Sequence, residues 1–164
     1  MIFGMSTFTF AHVVLSLVGI GSGFVVVLGL LTAKRLDGWT ALFLATTVLT
    51  SVTGFFFPFH RFLPSHAVGI LSLIVLALAI SALYVRHLAG AWRRTYVISV
   101  VIALYFNVFV LVAQLFQKVP ALRAMAPTQS EPPFKITQLA VLALFIALAI
   151  LAAMRFRDTR VRTA

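Results

Sequence analysis

Three histidines, His12, His60 and His66, lie near the ends of three different apolar segments, where three helices could bring them together. Imidazole is the commonest protein ligand for zinc, copper and haem iron. Zinc bound by three histidines and a water molecule is one such arrangement. Glu131 is the one acid expected at the same end of the protein. The sequence therefore predicts a metal site of His12, His60 and His66, with Glu131 as a fourth ligand or as a partner that orients an imidazole.

Haem b is the other metal-containing cofactor that these residues suit. His12 and His66, on facing helices, could bind the iron from its two sides, and Gly19 could leave room for the flat ring. The alternative is that the histidines lie at a bilayer interface and bind nothing. His87 follows Arg86 and is expected at the opposite end, away from the other three.

Small residues form one face of the first apolar segment. His12, Ser16, Gly19 and Gly23 are spaced by four, three and four residues, which places them on one side of a helix. Gly19 and Gly23 form a GxxxG pair, a pattern typical of close helix packing in lipid. The same face could instead make room for a cofactor or a lipid tail below His12.

Two amides, Asn107 and Gln114, lie seven residues apart in the fourth apolar segment. A buried amide needs a hydrogen-bond partner, because lipid offers none. They either join helices together or bind a polar group such as a quinone carbonyl. We therefore take Gly19, Asn107 and Gln114 as candidate cofactor-binding residues.

The composition defines the class of protein that carries these residues. Of 164 residues, 62% are hydrophobic and 10% are charged, and the mean hydropathy is +1.12. Soluble domains have about 45–50% apolar and about 25% charged residues. The absence of cysteine excludes disulfides, thiolate metal sites and iron–sulfur clusters. The net charge of +10 comes from basic residues between apolar runs, which favours anionic membrane lipids over nucleic acid as partners.

Five apolar runs are long enough to cross a bilayer as helices. They cover about residues 8–32, 40–58, 66–85, 95–116 and 136–154. The first run lacks a basic start and is too long for a signal peptide, so we interpret it as a mature span. The sequence thus predicts an all-α integral membrane protein, a single five-helix bundle without a soluble domain.

The basic residues predict the orientation of this bundle. Nine Lys and Arg residues fall on one side of the predicted spans and four on the other. The richer side is expected to be cytoplasmic. The N-terminus is then outside and the C-terminus inside, and we expect a multi-pass protein of the bacterial inner membrane.

The longest connection is QKVPALRAMAPTQSEPPFK, residues 117–135. Residues 119–126 are expected to form a short interfacial helix with Pro120 in its first turn. Pro127, Pro132 and Pro133 then require an extended path. We expect this loop to fold back over the outer ends of the first three helices and to bring Glu131 near the histidines.

The stretch HVVLSLVGIGSGFVVVLGLLTAKRLDGW resembles the opening of an uncharacterised group of small bacterial multi-pass inner-membrane proteins. In that group a helix with an early histidine and several glycines precedes a short basic hairpin. The continuation SHAVGILSLIVLALAISALY is compatible with the same pattern. The resemblance implies a multi-pass fold and no particular activity. The histidine placement and helix number also give a broader similarity to small haem-binding membrane cytochromes.

Three functions remain open from the sequence. One is a redox or metal-handling bundle built on the histidines. Another is a non-enzymatic accessory subunit or scaffold that packs against other membrane subunits or against further copies of itself. The third is a small transporter of an uncharged solute, with Asn107 and Gln114 as polar contacts. The sequence does not decide whether the protein is an enzyme.

Overall fold

The computed structural model describes residues 6–57, 64–156 and 162–163, and this part of the chain is almost entirely helical. The helices are α1 (Thr7–Leu31), α2 (Asp37–Gly54), α3 (Pro64–Ile80), α4 (Trp92–Lys118), α5 (Pro120–Met125) and α6 (Pro132–Arg155). α3 continues into one π-helical turn, Ser81–Val85. Two short strands, β1 (Lys34–Arg35) and β2 (Arg162–Thr163), pair in parallel. The prediction of an all-α fold is confirmed.

Among the described residues, four helical segments are long and apolar enough to cross a membrane. They are Thr7–Leu31, His66–Val85, Trp92–Lys118 and Pro132–Arg155. A helix is the form that such segments take, because it satisfies every interior backbone N–H and C=O group without water. These four correspond to the first, third, fourth and fifth of the predicted spans.

α2 differs from its prediction. We expected a span over residues 40–58, but the helix covers Asp37–Gly54, and it is not among the four apolar spans. Asp37 suits the first turn because a carboxylate is favoured at the positive end of a helix. The helix ends at Gly54, with Phe55 as its C-terminal cap. Its five threonines lower its hydropathy below that of its neighbours.

The first four helices surround a common axis. α1 packs against α2, α2 against α3, α3 against α4, and α4 against α1, while α6 lies outside this ring against α4 and α1. We call the half that holds the C-terminal part of α1 and the N-terminal part of α2 the closed half. We call the other half, with the N-terminal part of α1 and the C-terminal part of α2, the open half.

The closed half contains the main apolar core. Gly23 of α1 lies so close to α2 and α4 that a Cβ atom there would be 2.6 Å from Leu104 and 2.8 Å from Phe43. Both of those side chains are fully buried. Tyr96 is also fully buried, and its hydroxyl lies 3.4 Å from that of Thr40. Tight packing therefore fills the bundle axis at this end.

The turn between α3 and α4 caps the closed half. His87, Leu88 and Gly90 all have positive φ angles, and the Leu88 side chain is buried. The Arg86 guanidinium lies 5.1 Å from the centre of the Trp92 ring, a cation–π contact. His87 is thus at the opposite end of the bundle from His12 and His66, as the sequence predicted.

The segment between α4 and α6 is structured. α5 forms over Pro120–Met125, with the proline in its first turn, as expected. α5 packs against α4, and the Gln129 side-chain amide donates to the Ala113 carbonyl of α4 at 2.7 Å. We expected this segment to cover the outer ends of the first three helices. The contacts of its described residues instead hold it to the end of α4, through the Gln129 hydrogen bond and through the contact of the Phe116 ring with Phe134.

Candidate functional site

The open half encloses a cavity of about 620 Å³ between α1, α2, α3 and α4. Small-molecule sites usually have volumes of about 300–1,000 Å³. Four of the residues that the sequence singled out line this one cavity: His12, His66, Asn107 and Gln114. Most other lining side chains are apolar, and the polar ones are mainly serines and threonines.

His12 extends from α1 into the cavity lining, and a residue of α2 orients its ring. Its Nδ1 atom lies 2.8 Å from the Thr53 hydroxyl oxygen. We assign the single proton of that hydroxyl to the Leu49 carbonyl, 2.7 Å away, and this assignment makes Nδ1 the donor of the His12–Thr53 pair. Nε2 is then the unprotonated nitrogen of a neutral ring, able to accept a hydrogen bond or to bind a metal.

Aromatic rings fix both cavity histidines. The Phe57 ring meets the His12 ring edge to face, with centroids 5.0 Å apart. The buried His66 ring stacks on Phe55 at 6.0 Å. Gly69 permits this stack, because a Cβ atom there would lie 3.0 Å from the Phe55 ring. The phenylalanines that end α2 therefore hold the imidazoles in defined positions at the wall of the cavity.

The two amides of α4 lie at different depths. Asn107 donates from Nδ2 to the Thr47 hydroxyl at 3.2 Å, which leaves its second N–H and its carbonyl oxygen for another partner. Gln114 lies about two helical turns further along α4 and is exposed. Asn107 thus joins α4 to α2 and also lines the cavity, while its binding of a polar group stays a prediction.

Gly19 does not line the cavity. It is buried at the contact of α1 with α2 and α4, where a Cβ atom would lie 3.2 Å from the Thr47 hydroxyl and 3.6 Å from the Asn107 amide. Together with Gly23 it confirms the helix-packing interpretation of the small-residue face. The space that we expected beside Gly19 for a cofactor is filled by these polar groups.

Hydroxyl groups complete the polar lining. Ser51 and Ser72 are buried and hydrogen-bonded at 3.2 Å, which links α2 to α3. The Thr50 hydroxyl oxygen is buried and has no hydrogen-bond partner among the described residues. A buried hydroxyl without a partner costs about 1–3 kcal/mol, so a ligand that reached Thr50 would recover that cost.

Charge is nearly absent from the cavity. Lys118, at the end of α4, is its one charged lining residue within the described chain, and no acid lines it. An isolated charge is expensive to bury. The cavity therefore suits an uncharged molecule whose few polar atoms can meet the imidazoles, amides and hydroxyls.

The metal site of the sequence analysis is only partly covered by the structure. His60 lies outside the described residues. Within residues 6–57, 64–156 and 162–163, no three His, Asp or Glu side chains form a group that could hold a metal ion. His12, His66 and Glu131 thus do not form such a group by themselves, and the site that includes His60 stays a prediction.

Glu131 has a different set of partners. Its carboxylate accepts hydrogen bonds from the Thr128 hydroxyl at 2.8 Å and from the backbone N–H groups of Thr128 and Ser130. These bonds, the Thr128 hydroxyl first among them, lower the pKa of Glu131 below its ordinary value of 4.5. The turn before α6 needs acceptors for its backbone donors, and the adjacent acid supplies them.

Several cavity residues escaped the sequence analysis. They include Phe55 and Phe57, which follow α2, and the hydroxyl residues Thr50, Ser51 and Ser72. A signal was present for Gly69, which follows His66 by three residues and so shares its helix face. Searches with this chain match no protein-family model, no curated protein and no solved structure.

Proposed function

We propose that the protein binds a neutral, largely apolar organic molecule with a hydrogen-bonding head group in the open-half cavity. One observation carries the proposal: His12, His66, Asn107 and Gln114 converge on a single cavity of about 620 Å³ that no acid of the described chain lines. Largely apolar cavities with a few convergent polar groups are the usual form of small-molecule sites.

A quinone is the ligand class that fits these groups best. Its ring carbonyls accept hydrogen bonds, and Asn107, Gln114 and the Thr50 hydroxyl can donate them. Its reduced form carries hydroxyl groups, and Nε2 of His12 can accept from one of those. The Phe55 and Phe57 rings supply flat apolar surfaces for the ring. The apolar lining suits its tail.

The proposal includes a five-span topology, with α2 as the additional crossing, the N-terminus outside and the C-terminus inside the inner membrane. α1 and α3 place their N-terminal ends at the same cavity, so they run in the same direction. A chain that crosses in α1 must return through α2 before it enters α3. With 18 residues, α2 is about 27 Å long at 1.5 Å per residue, close to the roughly 30 Å of a bilayer core. Back-bonding of Thr46 and Thr53 to helix carbonyls satisfies their hydroxyls.

Binding of a soluble short-tailed quinone tests the function. Purified protein in detergent is titrated with decylubiquinone by isothermal calorimetry, and Gln114→Leu is compared with Gln117→Leu. Both variants remove an amide from α4, but only Gln114 lines the cavity. Loss of one hydrogen bond costs about 0.5–1.5 kcal/mol, or roughly 2- to 13-fold in Kd. We expect that loss for Gln114→Leu and no change for Gln117→Leu.

Absence of binding by the parent protein would reject the quinone proposal. Equal effects of the two variants would reject the cavity as the site. A protein that binds no small molecule and purifies with other membrane subunits would favour the scaffold hypothesis.

Haem b is a second candidate for the same cavity, and His12 carries it. Metal-binding histidines almost always donate their other ring N–H to a fixed acceptor, and Nδ1 of His12 donates to Thr53. His66 lines the same cavity from α3. The test is the visible spectrum of protein purified from haem-supplemented cells. We expect a Soret band that His12→Ala abolishes and His87→Ala leaves intact. A colourless parent would exclude haem.

A further inference from the structure

A second concave surface lies outside the ring, between α4 and α6. It is a groove of about 500 Å³, separate from the open-half cavity. Its wall on α4 includes Ile98 and Ile102, and its wall on α6 includes Ile146 and Ile150. These positions repeat every four residues and so form one continuous face on each helix.

The depth of the groove comes from small residues on α6. Ala149 and Ala153 line it one helical turn apart. Larger side chains there would fill the space between the helices. The floor is formed by the fully buried Val101 and by Phe145, whose ring lies 5.7 Å from that of Tyr105. Tyr105 and Phe145 close the groove at the middle of the two helices.

The length of the groove corresponds to one leaflet of a bilayer. It runs on α4 from Arg94 to Tyr105, about 16 Å at 1.5 Å per residue. That is about half of the roughly 30 Å hydrocarbon core. A transmembrane helix from another chain would need a groove along the whole span. An acyl chain anchored at one surface needs only this half.

The charge at the open end of the groove is positive. Arg94 is exposed and lines the groove. Arg155, also exposed, follows the lining residue Met154 at the end of α6. Asp37, the first residue of α2, is paired with Arg35 at 2.5 Å. The groove therefore combines an apolar channel of one-leaflet length with a cationic end.

We infer that this groove binds an anionic phospholipid, with one acyl chain between α4 and α6 and the phosphate-containing head group at Arg94. Under the proposed topology, Arg94 faces the cytoplasm and the lipid belongs to the inner leaflet, where anionic head groups attract basic residues. The inference does not depend on the ligand of the open-half cavity. It commits to a lipid because a second copy of the chain would supply neither the negative charge nor the half-length fit.

Native mass spectrometry of the full chain in detergent tests this inference. The protein is titrated with an equimolar mixture of phosphatidylglycerol and phosphatidylcholine of equal chain length. We expect one tightly retained phosphatidylglycerol. One cation near an anionic head group corresponds to about fivefold in affinity, so Arg94→Gln should weaken phosphatidylglycerol about fivefold and leave phosphatidylcholine unchanged. Arg94→Lys should retain the preference.

Two matched controls distinguish the contribution of the Arg94 charge to lipid binding from the contribution of the apolar groove. Arg123→Gln removes an exposed cation at the other end of the bundle and should change nothing. Ala149→Leu with Ala153→Leu should reduce retention of both lipids, while Ala147→Leu, on an exposed part of α6 outside the groove, should not. If the double variant does not fold, the comparison of Arg94→Gln with Arg94→Lys tests the inference by itself. Arg94 is exposed, so neither substitution is expected to prevent folding.

Equal retention of the two lipids by the parent, or an Arg94→Gln variant with unchanged phosphatidylglycerol binding, would overturn the inference. A parent dimer that Ala149→Leu converts to a monomer would also overturn it, because the groove would then hold a second copy of the chain.

Discussion

The tautomer of His12 depends on Thr53, whose hydroxyl has a single hydrogen to donate. Thr53 gives its proton to the Leu49 carbonyl and accepts from Nδ1 of His12. The ring thereby presents Nε2 as its acceptor, which is the atom that both proposed ligands require. A back-bonded threonine, usually regarded as inert packing in a membrane helix, here defines the chemistry of a neighbouring helix.

We predict that Thr53→Val abolishes this tautomer preference. Valine keeps the shape but cannot accept a hydrogen bond, so Nδ1–H loses its partner. Histidine ¹⁵N chemical shifts in the purified protein measure the change. Thr46→Val is the control, because Thr46 back-bonds in the same way without contacting His12. A parent protein whose His12 shift shows the Nε2–H tautomer would contradict the assignment.

At Gly23 we predict a large effect from one methyl group. Gly23→Ala places a Cβ atom 2.6 Å from Leu104 and 2.8 Å from Phe43, and both neighbours are too deeply buried to move aside. Overpacking typically costs about 1–3 kcal/mol, so the melting temperature should fall.

Gly21→Ala supplies the comparison for Gly23. It lies in the same helix, and a Cβ atom there would meet nothing within 4 Å. Removing glycine from a helix interior is worth about 0.5–1 kcal/mol, so this variant should be neutral or more stable. Equal melting temperatures for the two variants would show that α1 does not pack on this face.

Glu131 predicts that the turn before α6 is weakened at low pH. Its folded-state pKa is lowered by the hydrogen bonds from Thr128 and Ser130. Its contribution to the turn is therefore complete above the unfolded-state pKa and is lost as the pH falls through the lowered folded-state value. The Thr128 amide resonance should shift with a midpoint below 4.5. Glu131→Gln should show no such transition, and a parent midpoint above 4.5 would contradict this account.

At the scale of the elements, α2 determines the topology. The chain contains no cysteine, so single cysteines can be placed without background. We predict that Phe56→Cys reacts with a membrane-impermeant maleimide in intact spheroplasts and that Gly38→Cys reacts only after lysis. Thr128→Cys and Ala89→Cys are the respective outside and inside controls. Labelling of positions 38 and 56 from the same side would show that α2 does not cross.

The helices were predictable because lipid demands satisfied backbone groups over about 20 apolar residues. Their rotation was not predictable, because helices that are apolar nearly all round give no amphipathic face to read. The sequence could therefore place His12 and His66 at one end of the bundle, but it could not bring them together with Asn107 and Gln114 around one cavity. Gly19 shows the same limit, since its spacing was compatible with packing and with open space.

For the whole molecule, the two halves of the bundle should differ in local stability. The closed half holds the buried core, and the open half holds the cavity, where fewer contacts oppose local opening. Hydrogen exchange in detergent should be faster for amides of α1 residues 9–16 than for residues 26–30. Decylubiquinone should slow the first group and leave the second unchanged. Uniform exchange along α1 would contradict this division.

The close packing of Gly23 against Leu104 and Phe43 closes the open-half cavity at the end that faces the closed half. A molecule inside it has no path through the closed half, because these buried side chains fill the bundle axis there. The occupancy of the cavity then depends on the ligand concentration on one side of the membrane only. A concentration difference across the membrane does not change that occupancy. Under the proposed function, the protein in this conformation would sense or store a molecule from one side of the membrane, and net transport would require the packing at Gly23 to open.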